Sequence, residues 1–300
     1  MVSLKGRTAI ITGAARGLGR AHALRFAELG ANVVVNDNGA GPDGAGVDGS
    51  PAQAVVDEIA DAGGTAIAHI GSVSDWGSAE ELIGLTVDTF GTVDILVNNA
   101  GILRDRTIVQ MTEEEFDSVV DVHLKGHFST LHHAAVHWRE QTKAGKDVHA
   151  SVINTSSGSG LRGNPGQANY ASAKAGIAAM TLVAAQELDR YGVRVNAIAP
   201  VARTRLTLQT PGWDEKLRVE EGAFDKWAPE NVTPLVSWLA SEGCPLSGQV
   251  FSVVGGHVGW QQGWHEQQAF DLPDRAWTED ELDVALASLP TNVATFTASA

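Results

Sequence analysis

Residues 170–174 of the chain read Tyr-Ala-Ser-Ala-Lys. On a helix, Tyr170 and Lys174 stand at i and i+4 and share a face. A free phenol ionises near pH ~10 and is a poor base at neutral pH. An ammonium one turn away stabilises the phenolate and is expected to lower that value, the tuning that a general acid/base needs. Tyr191, the other tyrosine, has Val195 at i+4 and lacks the arrangement. Thirteen residues before Tyr170 stands Ser157, in Asn-Thr-Ser-Ser-Gly, where a hydroxyl can hydrogen-bond the oxygen of an alcohol or a carbonyl. The plainer alternatives are a surface Tyr–Lys pair of little energy and a serine that turns the chain.

Residues 12–19 read Thr-Gly-Ala-Ala-Arg-Gly-Leu-Gly. Gly13 permits a tight turn, and Gly17 and Gly19 let the backbone approach a phosphate at a helix N-terminus. The spacing is G-x-x-x-G-x-G, not the commoner G-x-G-x-x-G, and glycines also simply turn corners. The order of apolar run, glycines, amphipathic run and second apolar run is what points to a dinucleotide. Asp37 closes that second run, 18 residues after Gly19. A carboxylate there accepts hydrogen bonds from a ribose and repels a 2′-phosphate, so NAD is expected over NADP. Arg16 in the glycine turn argues the other way, since a guanidinium pairs with a 2′-phosphate.

The elements that must hold these residues alternate along the chain. Strand-like runs fall at 8–12, 32–36, 65–69, 93–97, 150–155, 193–198 and 249–254. Helical stretches fall at 18–29, 52–62, 78–90, 113–141, 167–191 and 232–241. The pattern predicts one α/β domain over 1–256, a doubly wound, seven-stranded parallel sheet flanked by helices. Three regions are irregular: 38–51, 201–230 and a C-terminal extension over 257–300 that holds Trp260, Trp264 and Trp277. The middle one follows the end of a parallel strand, where such sheets bind ligands, and is expected to be a substrate loop. Trp213 and Trp227 within it suit either the core or an apolar pocket.

The net charge of −15 repels phosphate backbones and anionic surfaces, which excludes general nucleic-acid and membrane binding. Cys244 is the sole cysteine, so no disulfide can form within the chain and no cysteine-based zinc site exists. It is read as a small buried residue. His123/His127 and His133/His137 are i, i+4 pairs without further ligands in a pattern, so no metal is expected. No apolar run of ~18 residues, no signal-peptide core and no peroxisomal C-terminal address (the chain ends Thr-Ala-Ser-Ala) are present, and a cytoplasmic protein is expected.

Together these motifs resemble the short-chain dehydrogenase/reductase family over about residues 5–256. The glycine turn, Asn98-Asn99-Ala100-Gly101, Ser157 and Tyr170-x-x-x-Lys174 match that family in order and spacing. The resemblance implies a Rossmann-type fold, with Tyr170 as acid/base, Ser157 orienting the substrate oxygen, and Lys174 holding the nicotinamide ribose while depressing the tyrosine pKa. For the cofactor it implies Gly13, Arg16, Gly17, Leu18, Gly19, Asp37, Ser72, Val73, Asn99, Ala100, Gly101 and Pro200, beside Tyr170 and Lys174. His123 stands where the family has an asparagine that kinks its helix and holds a relay water, so a relay, if kept, runs through imidazole. Pro200-Val201 replaces the usual Pro-Gly.

Within the family the chain is most similar to the (3R)-hydroxyacyl-CoA dehydrogenase part of type 2 peroxisomal multifunctional enzymes. The matching stretches are Val-Val-Val-Asn-Asp37, the glycine-rich insert after it, Asn-Asn-Ala-Gly-Ile-Leu-Arg-Asp-Arg106, Val-His123-Leu-Lys-Gly, Gly-Asn-Pro-Gly-Gln-Ala-Asn-Tyr170 and the tail. That likeness implies NAD-dependent interconversion of a 3-hydroxyacyl-CoA and a 3-ketoacyl-CoA by a homodimer or homotetramer. The alternatives are a dehydrogenase of a steroid or other free secondary alcohol, and a non-catalytic dinucleotide-binding protein. The intact Ser157, Tyr170 and Lys174 count against the last. Arg203, Arg205, Lys216 and Arg218 cluster in sequence and suit either CoA phosphates or solvated charge.

Overall fold

A computed structural model describes residues 2–289 apart from 42, 211, 221, 264, 265, 267 and 273. Trp264 and the four C-terminal residues named above lie outside the described residues. The short apolar runs form β1 (Thr8–Thr12), β2 (Asn32–Asn36), β3 (Thr65–His69), β4 (Ile95–Asn98), β5 (Ala150–Thr155), β6 (Val193–Pro200) and β7 (Val250–Val254). Between them lie α1 (Gly17–Glu28), α2 (Ser50–Asp61), α3 (Trp76–Phe90), α4 (Glu113–Val120), α5 (Gly126–Lys143), α6 (Gly158–Arg162), α7 (Ala168–Leu188), α8 (Trp213–Lys216) and α9 (Thr233–Ala240). A last helix, α10, spans Glu279–Leu286.

The strands form one sheet in the order β3-β2-β1-β4-β5-β6-β7, all parallel, as expected from the alternation. The expected count of seven needs correcting. An eighth strand, β8 (His257–Gln261), pairs antiparallel with β7 from Val250↔Gln261 to Val254↔His257. Gly255 and Gly256 form the two-residue loop between them, Gly255 with φ +54. Gly-Gly between two short runs is a hairpin signal, and the sheet thus continues past residue 256.

Alternate strand residues feed two cores. Ile11, Val35, Val97 and Ile153 pack with α1, α2 and α9 on one face. Ile10, Val34, Leu96 and Val152 pack with α3, α5 and α7 on the other. Near-continuous apolar strands are what a sheet covered on both faces requires, and each fully buried side chain such as Phe26 contributes roughly 1.5–3 kcal/mol. Cys244 is buried in the first core. No helix among the described residues is long and apolar enough to cross a membrane.

Two details position the site. The helix expected to run unbroken over 113–141 is interrupted by a π-helical turn, Asp121–Lys125, centred on His123. Such single turns insert one residue and re-aim a side chain, and periodicity alone does not reveal them. Gly19, expected to face a phosphate, instead lies beneath the glycine turn. A Cβ there would stand 2.2 Å from the Gly13 carbonyl oxygen and 2.7 Å from Asn99 Nδ2, so its role is close packing of α1 under the loop.

His22 on α1 is fully buried, with Nδ1 3.1 Å from the Thr233 hydroxyl on α9. Burial lowers its pKa from 6.5 to about 3, and burial also holds His123 and His127 well below the ordinary value. The unfolded chain takes up protons below pH ~6.5 that the native state refuses, so stability is lost as pH falls from there toward the folded value. The urea midpoint should therefore drop between about pH 7 and 5. His22→Leu should make that drop shallower; parallel curves for the two proteins would show that His22 carries none of the acid sensitivity.

Candidate active site

A cavity of about 330 Å³ opens at the C-terminal ends of the strands. It lies where the order reverses between β1 and β4, the place at which open α/β sheets bind ligands. The turn from β1 to α1 supplies Gly13, Arg16, Gly17 and Leu18. Asp37 comes from the end of β2, Ser72 and Val73 follow β3, Asn99–Gly101 follow β4 and Pro200 ends β6. His123, Tyr170 and Lys174 close the far end. Gly19 and Ser157 do not line it.

The turn is held by its neighbours. Asn99 Nδ2 donates to the carbonyls of Thr12 (2.9 Å) and Gly13 (3.2 Å). The Thr12 hydroxyl accepts from the backbone N–H groups of Asn99 (2.9 Å) and Ala100 (3.1 Å). Gly13 has φ +63, and a Cβ would meet Ala100 Cα at 2.8 Å. No side chain caps the N-terminus of α1. Its first N–H groups and the positive end of its dipole are left for an anion, which a pyrophosphate fits.

Asp37 is fixed by two backbone donors, Gly39 N–H to Oδ1 (2.7 Å) and Ala15 N–H to Oδ2 (3.0 Å). Arg16 and Arg205 line the same cavity. Burial first, then repulsion from Arg16, lowers the Arg205 pKa, with Asp37 opposing. The insert after β2 also reaches in. Ala40, Gly41 and Gly44 line the cavity, and Arg104 Nε donates to the Asp43 carbonyl at 3.1 Å. Nothing in the glycine-rich stretch announced that contact, which joins segments 61 residues apart.

At the far end, Tyr170 sits on the first turns of α7, and Ser157 caps α6 just after β5. Lys174 is 2% exposed; its Nζ donates to the Thr155 carbonyl at 2.5 Å and lies 5.6 Å from the centre of the Tyr170 ring. The expected lowering of the phenol pKa is not found. Burial raises it, a hydrogen bond with Ser157 pulls it back, and the Asp105 carboxylate adds to the rise. Burial likewise lowers Lys174 to about 7. Spacing puts the pair together, but the cost of charging either group inside the protein outweighs their attraction.

His123 is buried, its Nε2 2.8 Å from the Ile102 carbonyl oxygen and 3.2 Å from the Ile102 nitrogen. Its ring stands edge-on to Tyr170, centroids 5.0 Å apart. Nδ1 is buried without a partner among the described residues. Gly101 makes room for this ring, since a Cβ would stand 2.3 Å from His123 Cε1.

The basic residues of the 201–230 loop do not converge. Arg203 pairs with Asp225 and donates to the Leu217 carbonyl at 3.0 Å. Arg205 lines the cavity, Arg218 is exposed, and Lys216 lies on a second cleft. Trp227 is buried, whereas Trp213 lines that second cleft. No group of three metal-ligating side chains is found among the described residues.

This geometry has close parallels. A family model described as short chain dehydrogenase matches residues 7–211. Hydroxyacyl-CoA dehydrogenase ChsB1 of Mycobacterium tuberculosis is 46% identical over 290 residues, covering 94% of this chain and 88% of the relative. Peroxisomal multifunctional enzyme type 2 of Mus musculus is 41% identical over 254 residues, 85% of this chain but only 32% of that longer protein. The crystal structure of a short chain dehydrogenase from Mycobacterium avium superposes with a TM-score of 0.84 at 51% identity, over 95% of each chain. These matches show that the chain belongs to the short-chain dehydrogenase/reductase family of oxidoreductases acting on hydroxyl groups.

Proposed function

We propose that this protein interconverts a 3-hydroxyacyl-CoA and a 3-ketoacyl-CoA with NAD as its cofactor. The observation that carries the reading is that Tyr170 and the buried amine of Lys174 line one end of a cleft whose other end holds an uncapped helix N-terminus, with Ser157 near enough to pull the phenol pKa down. The names of the relatives, hydroxyacyl-CoA dehydrogenase and peroxisomal multifunctional enzyme type 2, support the substrate class.

Gly13, Gly17 and the α1 N–H groups would hold the pyrophosphate, and Asp37 the adenosine ribose. The nicotinamide, when bound, supplies the two-electron acceptor or donor for the carbinol carbon. In the oxidative direction the Tyr170 phenolate takes the hydroxyl proton and becomes the neutral phenol, and the Ser157 hydroxyl holds the oxygen as it becomes a carbonyl. Lys174, with its pKa near neutrality, exchanges a proton at working pH and, when charged, favours the phenolate. His123 acts as a positioning residue. Its imidazole is kept neutral by burial and by Lys174, is held by Ile102, and braces the Tyr170 ring. A homo-oligomer fits the same reading, since Phe128, Leu182 and Val183 leave apolar surface exposed on α5 and α7.

Mixing enzyme and NAD with 3-hydroxyacyl-CoA thioesters and free secondary alcohols should give NADH with the thioesters. Activity confined to free alcohols would overturn the substrate, and silence throughout would overturn the chemistry. Tyr170→Phe should bind NAD normally yet lose turnover by roughly 10²–10⁴-fold, the usual worth of a general acid/base. A variant retaining most of its activity would remove Tyr170 from that role. NAD should be used in clear preference to NADP, and Asp37→Ser should shift the ratio toward NADP by about tenfold or more, because Arg16 and Arg205 remain to meet a 2′-phosphate. Equal use of the two cofactors by the unaltered enzyme would refute the role given to Asp37.

A further inference from the structure

A second, open cleft of about 520 Å³ lies on the other side of the start of α7. We propose that it seats the phosphate-bearing end of the coenzyme A thioester, with Lys216 and Arg106 as the cations that hold it. The assignment rests on the acyl-CoA reading above and adds where the coenzyme lies.

The two cavities adjoin along two segments. Gly166, in the turn just before α7, borders the second cleft, and Tyr170, four residues on, borders the first. Thr207 lines the first and Thr210 the second, joined by the 3₁₀ turn Thr207–Gln209. A long substrate whose reacting carbon sits at Tyr170 therefore has an exit past 207–210 into the second cleft. CoA thioesters are built for such a path: a short acyl carbinol, an extended arm, then anionic phosphates.

The charges at the cleft match that end. Lys216 is exposed, stands over the Trp213 ring with Nζ 4.8 Å from its centre, and has no ion-pair partner among the described residues. Arg106 is fixed by its backbone, whose N–H donates to the Gly166 carbonyl at 2.8 Å in a bridge with Gln167. Its Nε is 3.4 Å from Glu115 and its Nη1 donates to the Asp105 carbonyl at 3.2 Å, and its side chain is 58% exposed. Asp105 also borders the cleft, where Gln167 Nε2 donates to its Oδ2 at 2.8 Å and burial raises its pKa. Of the other basic residues that the sequence offered in this loop, Arg203 pairs with Asp225, Arg205 lines the first cavity and Arg218 does not line the second cleft. In a chain of net charge −15, Lys216 and an exposed Arg106 shared with Glu115 on one cleft form a local exception to the field.

The test compares a 3-hydroxyacyl-CoA with the same acyl group on pantetheine, which keeps the arm and lacks the phosphates. The full-length enzyme should show a lower KM for the CoA ester, and that advantage should shrink as salt is added. Lys216→Gln and Arg106→Gln should each raise the CoA-ester KM about tenfold relative to the pantetheine-ester KM, as expected for one charge-assisted contact, with kcat nearly constant. Equal KM values for the two esters in the unaltered enzyme, or variants that move both esters alike, would overturn the cleft assignment and leave the acyl-CoA reading standing. An enzyme that uses free alcohols and neither ester would overturn both.

Discussion

Burying the amine of Lys174 is the constraint on which the rest of the site depends. Its Nζ donates to the Thr155 carbonyl at the end of β5, and its own carbonyl accepts from the Ser156 hydroxyl at 2.8 Å. Those two bonds clamp α7 to β5 in one register. Tyr170, one turn earlier on the helix, and Ser157, next after Ser156, are placed by the same clamp. The burial that brings Lys174 to about 7 also raises the phenol. Burial thus disfavours the charged form of each group, so a phenolate at Tyr170 has to be stabilised by its neighbours.

A second cation beside Lys174 would be intolerable in this interior, and the surroundings reflect it. His123 and His127, both fully buried, are held neutral by burial, with Lys174 adding to the effect. Asparagine and threonine side chains nearby form a neutral hydrogen-bonded chain. The Thr130 hydroxyl donates to Asn98 Oδ1 (2.7 Å), Asn98 Nδ2 to Asn154 Oδ1 (3.1 Å), and Asn154 Nδ2 to the Thr181 hydroxyl (3.0 Å). This thread joins α5, β4, β5 and α7 through the sheet. Satisfied networks of this kind stiffen a core, whereas a single missing partner would leave a costly orphan.

The glycines at the cofactor end serve packing as much as phosphate access. Gly19 lets α1 slide under the turn, and Gly101 admits the His123 ring. The π-helical turn at 121–125 supplies that ring in the first place. The imidazole therefore belongs to a coordinated local design: an extra residue in the helix, a missing side chain on the facing loop, and an edge-on contact with the phenol.

Much of this was legible in the residues alone. Short apolar runs alternating with amphipathic ones dictate a parallel sheet covered on both faces, because a strand buried on each side has no polar face to show. The i, i+4 spacing of Tyr170 and Lys174 put them on one helix face, and the glycine turn and Asp37 fall at strand ends, where the cleft opens. What local pattern could not carry was decided by tertiary structure. The sign of the phenol shift depends on how completely solvent is excluded, and burial belongs to the whole fold. The insert over the cavity, the pairing of Arg203 with Asp225 and the sharing of one cleft by Lys216 and Arg106 join segments distant in sequence. β8 was missed because a five-residue edge strand with half its side chains exposed has too little apolar pattern to read, although the Gly-Gly before it marked the hairpin. Periodicity records which face of an element is apolar; only the packed chain determines which charges meet and how much water reaches them.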